Sequence, residues 1–419
     1  MNYILKNLNI FGSDNCAVYI ENGIISSKFN YDSSRCEEID CSGLTAFPGF
    51  VDVHVHLREP GFSYKETIKT GSMAGAAGGY TAIGAMPNLS PVPDCTENLD
   101  IQLKLIEKDA AIRVLPYGSI TAGEKGEKLS DMEGMAKSVI AFSDDGKGVQ
   151  DEGMMRAAME MAKSLGKIIA AHCEDETLLF GGCIHDGEYA RAHGIPSISS
   201  ESEWRQIERD IRLSADTGCA YHVCHVSAAE SVDLIRAAKA RGVDVTCEVG
   251  PHYLLMCDHD LREDGRFKMN PPLRSPRDRE ALVAGLLDGT IDMVITDHAP
   301  HSAEEKGRGL AKSLMGVVGL ETVFPLLYTY LVERGVLTLD KLLDLMCFTP
   351  SSRFGIPAGL TVGQPANLAV WDLDSAYTVD PADFLSMGKA SPFTGWQVRG
   401  RCLLTVAGGE IAYRAKGDM

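Results

Sequence analysis

The chain has 419 residues with a formal net charge of −18, 45% hydrophobic and 23% charged, enough for one large domain plus a smaller one. The acidic charge is spread along the chain, which argues against nucleic acid, whose phosphates need a basic surface. No apolar run is long enough to span a bilayer, and the opening MNYILKNLNIFG lacks the basic flank and apolar stretch of a secretory signal, so a cytoplasmic location is expected.

Residues 1 to 47 are predicted to form short strands: YILKNLNIF, NCAVYIENGIISSKF and EEIDCSGLTAFPG, with Asn22-Gly23 as a hairpin turn. The region 355–419 looks alike, with ANLAVWDL and VRGRCLLTVAGGEIAYRA around a Gly-Gly turn. Two strand-rich ends suggest one small β-domain built from both termini, 1–47 with 355–419, around a middle domain of residues 48–354.

That middle alternates apolar strands with helices. The first strand, in FPGFVDVHVHL, is followed by YTAIGAMPN, IRVLPYGSIT, SVIAFSDDG, KIIAAHCED, CAYHVCHVS, VDVTCEVGPH and IDMVITDHAPH. Between them lie segments such as DEGMMRAAMEMAKSLG and AAESVDLIRAAKARG, apolar at three- and four-residue spacing and closed by glycine. Eight β-then-α units predict an α/β fold, a distorted TIM-type (β/α)8 barrel, rather than an open doubly wound sheet. No G-x-G-x-x-G follows the first strand, which weighs against dinucleotide binding.

Polar residues gather where the apolar runs stop: His54 and His56 on strand one, Asp144-Asp145 on four, His172 on five, His225 on six and Asp297 on eight. In such a barrel the C-terminal strand ends converge on one face, where active sites are built. Imidazole and carboxylate suit a divalent cation such as zinc, and four histidines with two carboxylates suit two ions sharing a bridging carboxylate. A lone His-x-His is more often a pair of hydrogen-bonded strand histidines, and Asp144-Asp145-Gly146 alone is a turn. The joint pattern across five strands favours the metal reading. Strand alternation does not choose between Asp144 and Asp145. Arg58, two residues beyond His56, is expected on the same side, where its guanidinium can fork a carboxylate. Cys173 and Cys224 read as packing residues, and the 12 cysteines, none in C-x-x-C, as thiols of a reducing compartment. His185, His193, His222, His252 and His259 read as structural or exposed, and His298 is unassigned.

The segments PGFVDVHVHLREPG, AMPN, AHCED, HVCHVS, MNPPLR and TDHAPH resemble the amidohydrolase superfamily, and within it bacterial dihydroorotases of the long-chain type, in order over nearly the whole chain. The resemblance implies two Zn2+ ions, one held by His54 and His56 and completed by Asp297, the other by His172 and His225, with Asp145 as the bridge. Many amidohydrolases bridge with a carbamylated lysine; here strand four carries no lysine before its Asp pair. It further implies that Arg58, Asn88, Asn270 and His301 surround the substrate, and that backbone at Met315 and Gly316 lies over it. Two such ions would bring the pKa of a shared water from near 16 toward ~7, with Asp297 as general acid and base. The implied reaction is the reversible cyclisation of N-carbamoyl-L-aspartate to (S)-dihydroorotate in pyrimidine (UMP) biosynthesis. A homodimer is expected, with another enzyme of that pathway as a further partner.

The chain departs from the family pattern where Leu314-Met315 replaces Pro-Phe and where GPHYL stands for TPHHL. Allantoinase or dihydropyrimidinase chemistry is the enzymatic rival, and a catalytically inert scaffold is the rival from another class.

Overall fold

The computed structural model describes residues 2–27 and 36–416. The end of the expected strand NCAVYIENGIISSKF, from Lys28, lies outside the described residues.

The two termini meet in one eight-stranded sheet. Asn2–Ile10 pairs antiparallel with Ser13–Glu21, which turns at Asn22-Gly23 into Ile24–Ser26; Cys36–Asp40 adds to Asn2–Ile10 in parallel. A single step from Asn9 to Thr45 carries the sheet into Thr45–Pro48, Leu368–Thr378, Gln397–Ala407 and Glu410–Arg414. Both halves bury their apolar faces in one cluster, where Leu5, Leu8 and Ile20 meet Leu368, Val370 and Leu404. This is the small β-sandwich joined to the barrel.

The barrel strands are parallel and buried. Strands one to three, Phe50–Val55, Tyr80–Ala85 and Arg113–Pro116, form one arc; strands five to eight, Ile169–Ala171, Tyr221–Val223, Val245–Val249 and Met293–Val294, form the other. The arcs close where Val55 bridges His298 and where Phe142 bridges Gly118 on one side and Ile169 on the other. Strand four is therefore reduced to isolated bridges rather than a ladder. The reason is local: just beyond Ser143, the Asp144 carboxylate takes the backbone N–H groups of Ile120 (2.7 Å) and Thr121 (3.0 Å), and the chain turns. The expected helices form at Glu152–Ser164 and Ala229–Ala240, the former started by Asp151, whose side chain accepts from the Met154 N–H.

Phe50 at the start of strand one meets Trp371 of the terminal sheet (5.6 Å) and Phe324 (5.2 Å), welding sheet to barrel. Gly79 sits against this junction with φ +79°, and a Cβ there would lie 2.4 Å from the Trp371 ring. No side chain fits. The described helices include none long and apolar enough to cross a membrane, and all 12 cysteines are free.

Candidate metal centre

Strand one ends at Val55, yet His54 and His56 still aim at one carboxylate, as alternation requires. His54 Nε2 lies 3.3 Å from Asp145 Oδ1, and His56 Nε2 lies 3.4 Å from Asp145 Oδ2. From across the barrel, His172 Nδ1 and His225 Nε2 each lie 3.8 Å from Asp145 Oδ1 and 2.9 Å from one another. Asp145 is thus common to two ligand-like triads, His54–His56–Asp145 and Asp145–His172–His225. Asp144 is turned away into the backbone of Ile120 and Thr121, which separates the two neighbours that alternation could not. Asp297 Oδ1 stands 3.2 Å from His56 Nε2 and 3.6 Å from His54 Nε2.

Whether these residues fit a cation can be judged from their unsatisfied atoms. His54 Nε2 and Asp145 Oδ1 are buried without a hydrogen-bond partner, a costly arrangement unless something else meets their lone pairs. The electrostatics agree. Burial would push His54 down, but Asp145 and Glu248 hold it well above the ordinary imidazole range. Burial would push Asp145 up, and the imidazoles of His54, His225 and His56 draw it well below the usual carboxylate range. Asp297 is likewise lowered against its burial, chiefly by the hydrogen bond to His56. A buried pocket that favours positive charge among imidazole and carboxylate donors fits divalent cations.

The other imidazole nitrogens are oriented. His54 Nδ1 meets Glu248 Oε1 at 2.5 Å, so an N–H is donated there and Nε2 is the ring nitrogen that could ligate a cation. Glu248 also binds His222 Nε2 (2.9 Å) and accepts the His225 backbone N–H (3.3 Å). Sequence reading missed Glu248 and left His222 as a structural histidine. The signal was present only as a charged residue inside the apolar strand VTCEV. Cys224, read as a packing residue, is buried in a third triad with His54 and Glu248, its thiol pushed up by burial.

The remaining expected residues line one cavity of about 250 Å³: Arg58, Asn88, Asn270, His301, Met315 and Gly316, together with His56, Asp145, His172, His225 and Asp297. Arg58 lies past the end of strand one and reaches the cavity through a left-handed backbone (φ 59°) rather than through alternation. Its Nε donates to the Pro300 carbonyl at 3.2 Å, and Glu59 is engaged elsewhere, accepting the Ile68 N–H. Burial lowers Arg58 only to about 10, so it stays charged at neutral pH. Asn88 Oδ1 takes His56 Nδ1–H at 2.9 Å, and Asn270 Nδ2 lies 3.3 Å from His172 Nε2. His301 Nε2–H donates to the Met315 carbonyl (2.7 Å), with Lys65 Nζ 3.3 Å from Nδ1. Burial, then Arg58 and Lys65, lower His301 to about 3, which keeps it neutral.

Both sequence departures find local explanations. Leu314 is exposed, so its side chain leaves the cavity to Met315 and Gly316. In GPHYL, Tyr253 donates its hydroxyl to the Pro271 carbonyl at 2.6 Å, and a Cβ on Gly250 would lie 2.5 Å from the His252 ring.

A family model described as dihydro-orotase-like matches residues 43–231. A dihydroorotase of Geobacillus thermodenitrificans is 49% identical over 402 residues, 94% of each chain. One of Bacillus cereus is 47% identical over the whole of both chains, 100% of each. Among solved structures, the L-hydantoinase (dihydropyrimidinase) of Arthrobacter aurescens is 27% identical with a TM-score of 0.84, covering 99% of this chain and 96% of that one. The dihydropyrimidinase of Brevibacillus agri NCHU1002 shares the fold at 22% identity and a TM-score of 0.83, covering 99% of this chain and 96% of that one.

Proposed function

This chain belongs to the dihydroorotase family, and from that premise we propose that it interconverts N-carbamoyl-L-aspartate and (S)-dihydroorotate, a cyclic-amide hydrolysis run in reverse during pyrimidine biosynthesis. The observation that carries the reading is Asp145, one buried carboxylate shared by two histidine pairs and left with an unsatisfied oxygen.

In this reading His54, His56 and Asp297 would hold one zinc ion and His172 and His225 a second, with Asp145 shared between the two sets. Cations bound there would polarise the ring carbonyl and acidify water. The remaining work falls to the chain's own groups. Asp297, against His56, takes the proton of the attacking water at its carboxylate and delivers it to the departing ring nitrogen, so that OH adds to the carbonyl carbon and H to nitrogen. Closure reverses those transfers.

Arg58 binds the substrate carboxylate, helped by the amides of Asn88 and Asn270. His301, held neutral and donating to the Met315 carbonyl, joins them at the substrate carboxylate, and backbone at Met315 and Gly316 lies over the ring. A charged Arg58 in the cavity favours an acid-bearing ring over dihydrouracil or allantoin, which carry no ring carboxylate. Residues 48–354 form the catalytic barrel and 1–47 with 355–419 its β-unit, in a cytoplasmic homodimer able to associate with another enzyme of the pathway.

The test is turnover by the zinc-loaded protein on dihydroorotate, 5,6-dihydrouracil and allantoin in parallel. Opening of dihydroorotate alone is expected. Preference for either uncharged ring would refute the assignment, and no turnover of any with full metal would favour an inert scaffold.

A further inference from the structure

Lys306 is buried at 7% exposure, yet among the described residues its ammonium donates only to backbone carbonyls, with the Asp264 carboxylate acting on it from farther away. Its position follows from the turn that carries it: Ser302 caps the short helix Ala303–Lys306 through the Glu305 N–H, and the last residue of that turn points inward. There its ammonium donates to two carbonyls, Leu314 at 2.8 Å and Lys268 at 3.0 Å.

These carbonyls belong to two neighbouring segments, both of which supply residues to the lining of the cavity. Leu314 precedes Met315 and Gly316, and Lys268 stands two residues before Asn270. The Lys268 carbonyl also takes the Gly316 N–H (3.0 Å), and Lys268 Nζ returns to the Ala311 carbonyl (2.7 Å). Gly265 completes the seam, because a Cβ there would lie 2.2 Å from the Lys306 carbonyl oxygen. A buried ammonium satisfied only by backbone carbonyls costs desolvation that an apolar side chain of the same length would avoid. Burial and the neighbouring Lys268 accordingly lower it to about 7. Such a residue is explained if what it holds together matters.

We propose that Lys306 is a positioning residue for substrate: by clasping the Leu314 and Lys268 carbonyls it fixes the Asn270 segment against the Met315–Gly316 segment. Both segments line the cavity that the ring would enter. This rests on the reading of the cavity as the dihydroorotate site, and two separable measurements test it.

The first is amide hydrogen exchange of the zinc-loaded protein without substrate, wild type against Lys306→Met. Faster exchange is expected in both 265–270 and 302–316, with barrel strands unchanged; unchanged exchange in either segment overturns the clasp. The second is steady-state kinetics on dihydroorotate. Lys306→Met is expected to raise KM by about tenfold or more, with a smaller change in kcat and unchanged zinc content. Lys306→Gln, able to reach one carbonyl, should fall between, and it serves alone if the Met variant does not fold. Faster exchange with an unaltered KM overturns the role in substrate fit. If wild type does not turn over dihydroorotate at all, the assignment of the cavity fails, while the exchange result still decides whether the clasp exists.

Discussion

In the terminal sheet the left-handed backbone falls at turns and irregularities: exposed Phe11 (φ 49°) with Gly12 (φ 79°) and Asn22 (φ 51°) with Gly23 (φ 82°) in hairpins, Gly408 (φ 59°) with Gly409 (φ 87°) in another, and Asn7 (φ 59°) at a register shift. At the barrel mouth the same region is occupied by Arg58 (φ 59°), His225 (φ 30°) and Asp297 (φ 45°), all of them buried. Asparagine and glycine tolerate this conformation and a tight exposed turn can impose it on another residue, whereas a buried side chain is held in it only when its surroundings demand it. The surroundings here are tertiary. Glu248 takes the His225 N–H, Asp52 takes the N–H groups of His54 and Thr296 at 2.9 Å each, and the His298 carbonyl takes the His56 N–H. One region is built by local sequence and apolar burial, the other by buried polar groups that hold each other in place. Changes at the mouth should therefore cost chemistry, and changes in the sheet should cost stability.

The sharpest break is Asp297→Asn, which keeps an oxygen near His56 and removes the proton acceptor. It should lower kcat by about 10²- to 10⁴-fold with most of the zinc retained, seen by elemental analysis beside turnover; undiminished kcat would remove Asp297 from the chemistry. On the other side, Leu404→Ala opens the apolar cluster shared by both halves of the sheet. A loss of about 2–5 kcal/mol in denaturant unfolding is expected, with kcat/KM unchanged at 25 °C. A large kinetic defect there would erase the distinction between the regions. Glu248→Gln alters the group orienting His54, and zinc affinity measured by chelator competition should weaken by about 10- to 100-fold; unaltered affinity would leave Glu248 as packing. The smallest effect is Arg58→Ala, which deletes one carboxylate contact: KM should rise by about tenfold, equivalent to ~1.4 kcal/mol, with metal content constant. An unchanged KM would take Arg58 out of substrate binding.

The same contrast explains what could be read from the sequence. The hairpins at Asn22-Gly23 and Gly408-Gly409 and the helices Glu152–Ser164 and Ala229–Ala240 follow from turn chemistry and period, which are local. Strand ends flagged His54, His56, His172, His225 and Asp297, because polar residues closing apolar runs stand out in one dimension. Strand four did not behave as its apolar run suggested, since Asp144 binds backbone from the preceding loop. Its separation from Asp145 required that three-dimensional contact. Glu248 and Lys306 were invisible for a related reason: each is one charged residue whose meaning lies in partners distant in sequence, His54 for the first and Lys268 for the second. Family resemblance supplied the residues that line the cavity, but not what holds them.

The central claim is a cation pair organised by Asp145, and its most direct test is a zinc titration of chelator-stripped protein while dihydroorotate opening is followed. Negligible turnover is expected in the stripped protein, with recovery that saturates near two equivalents per chain. Full activity without metal, or a stripped protein that binds no zinc, would contradict it.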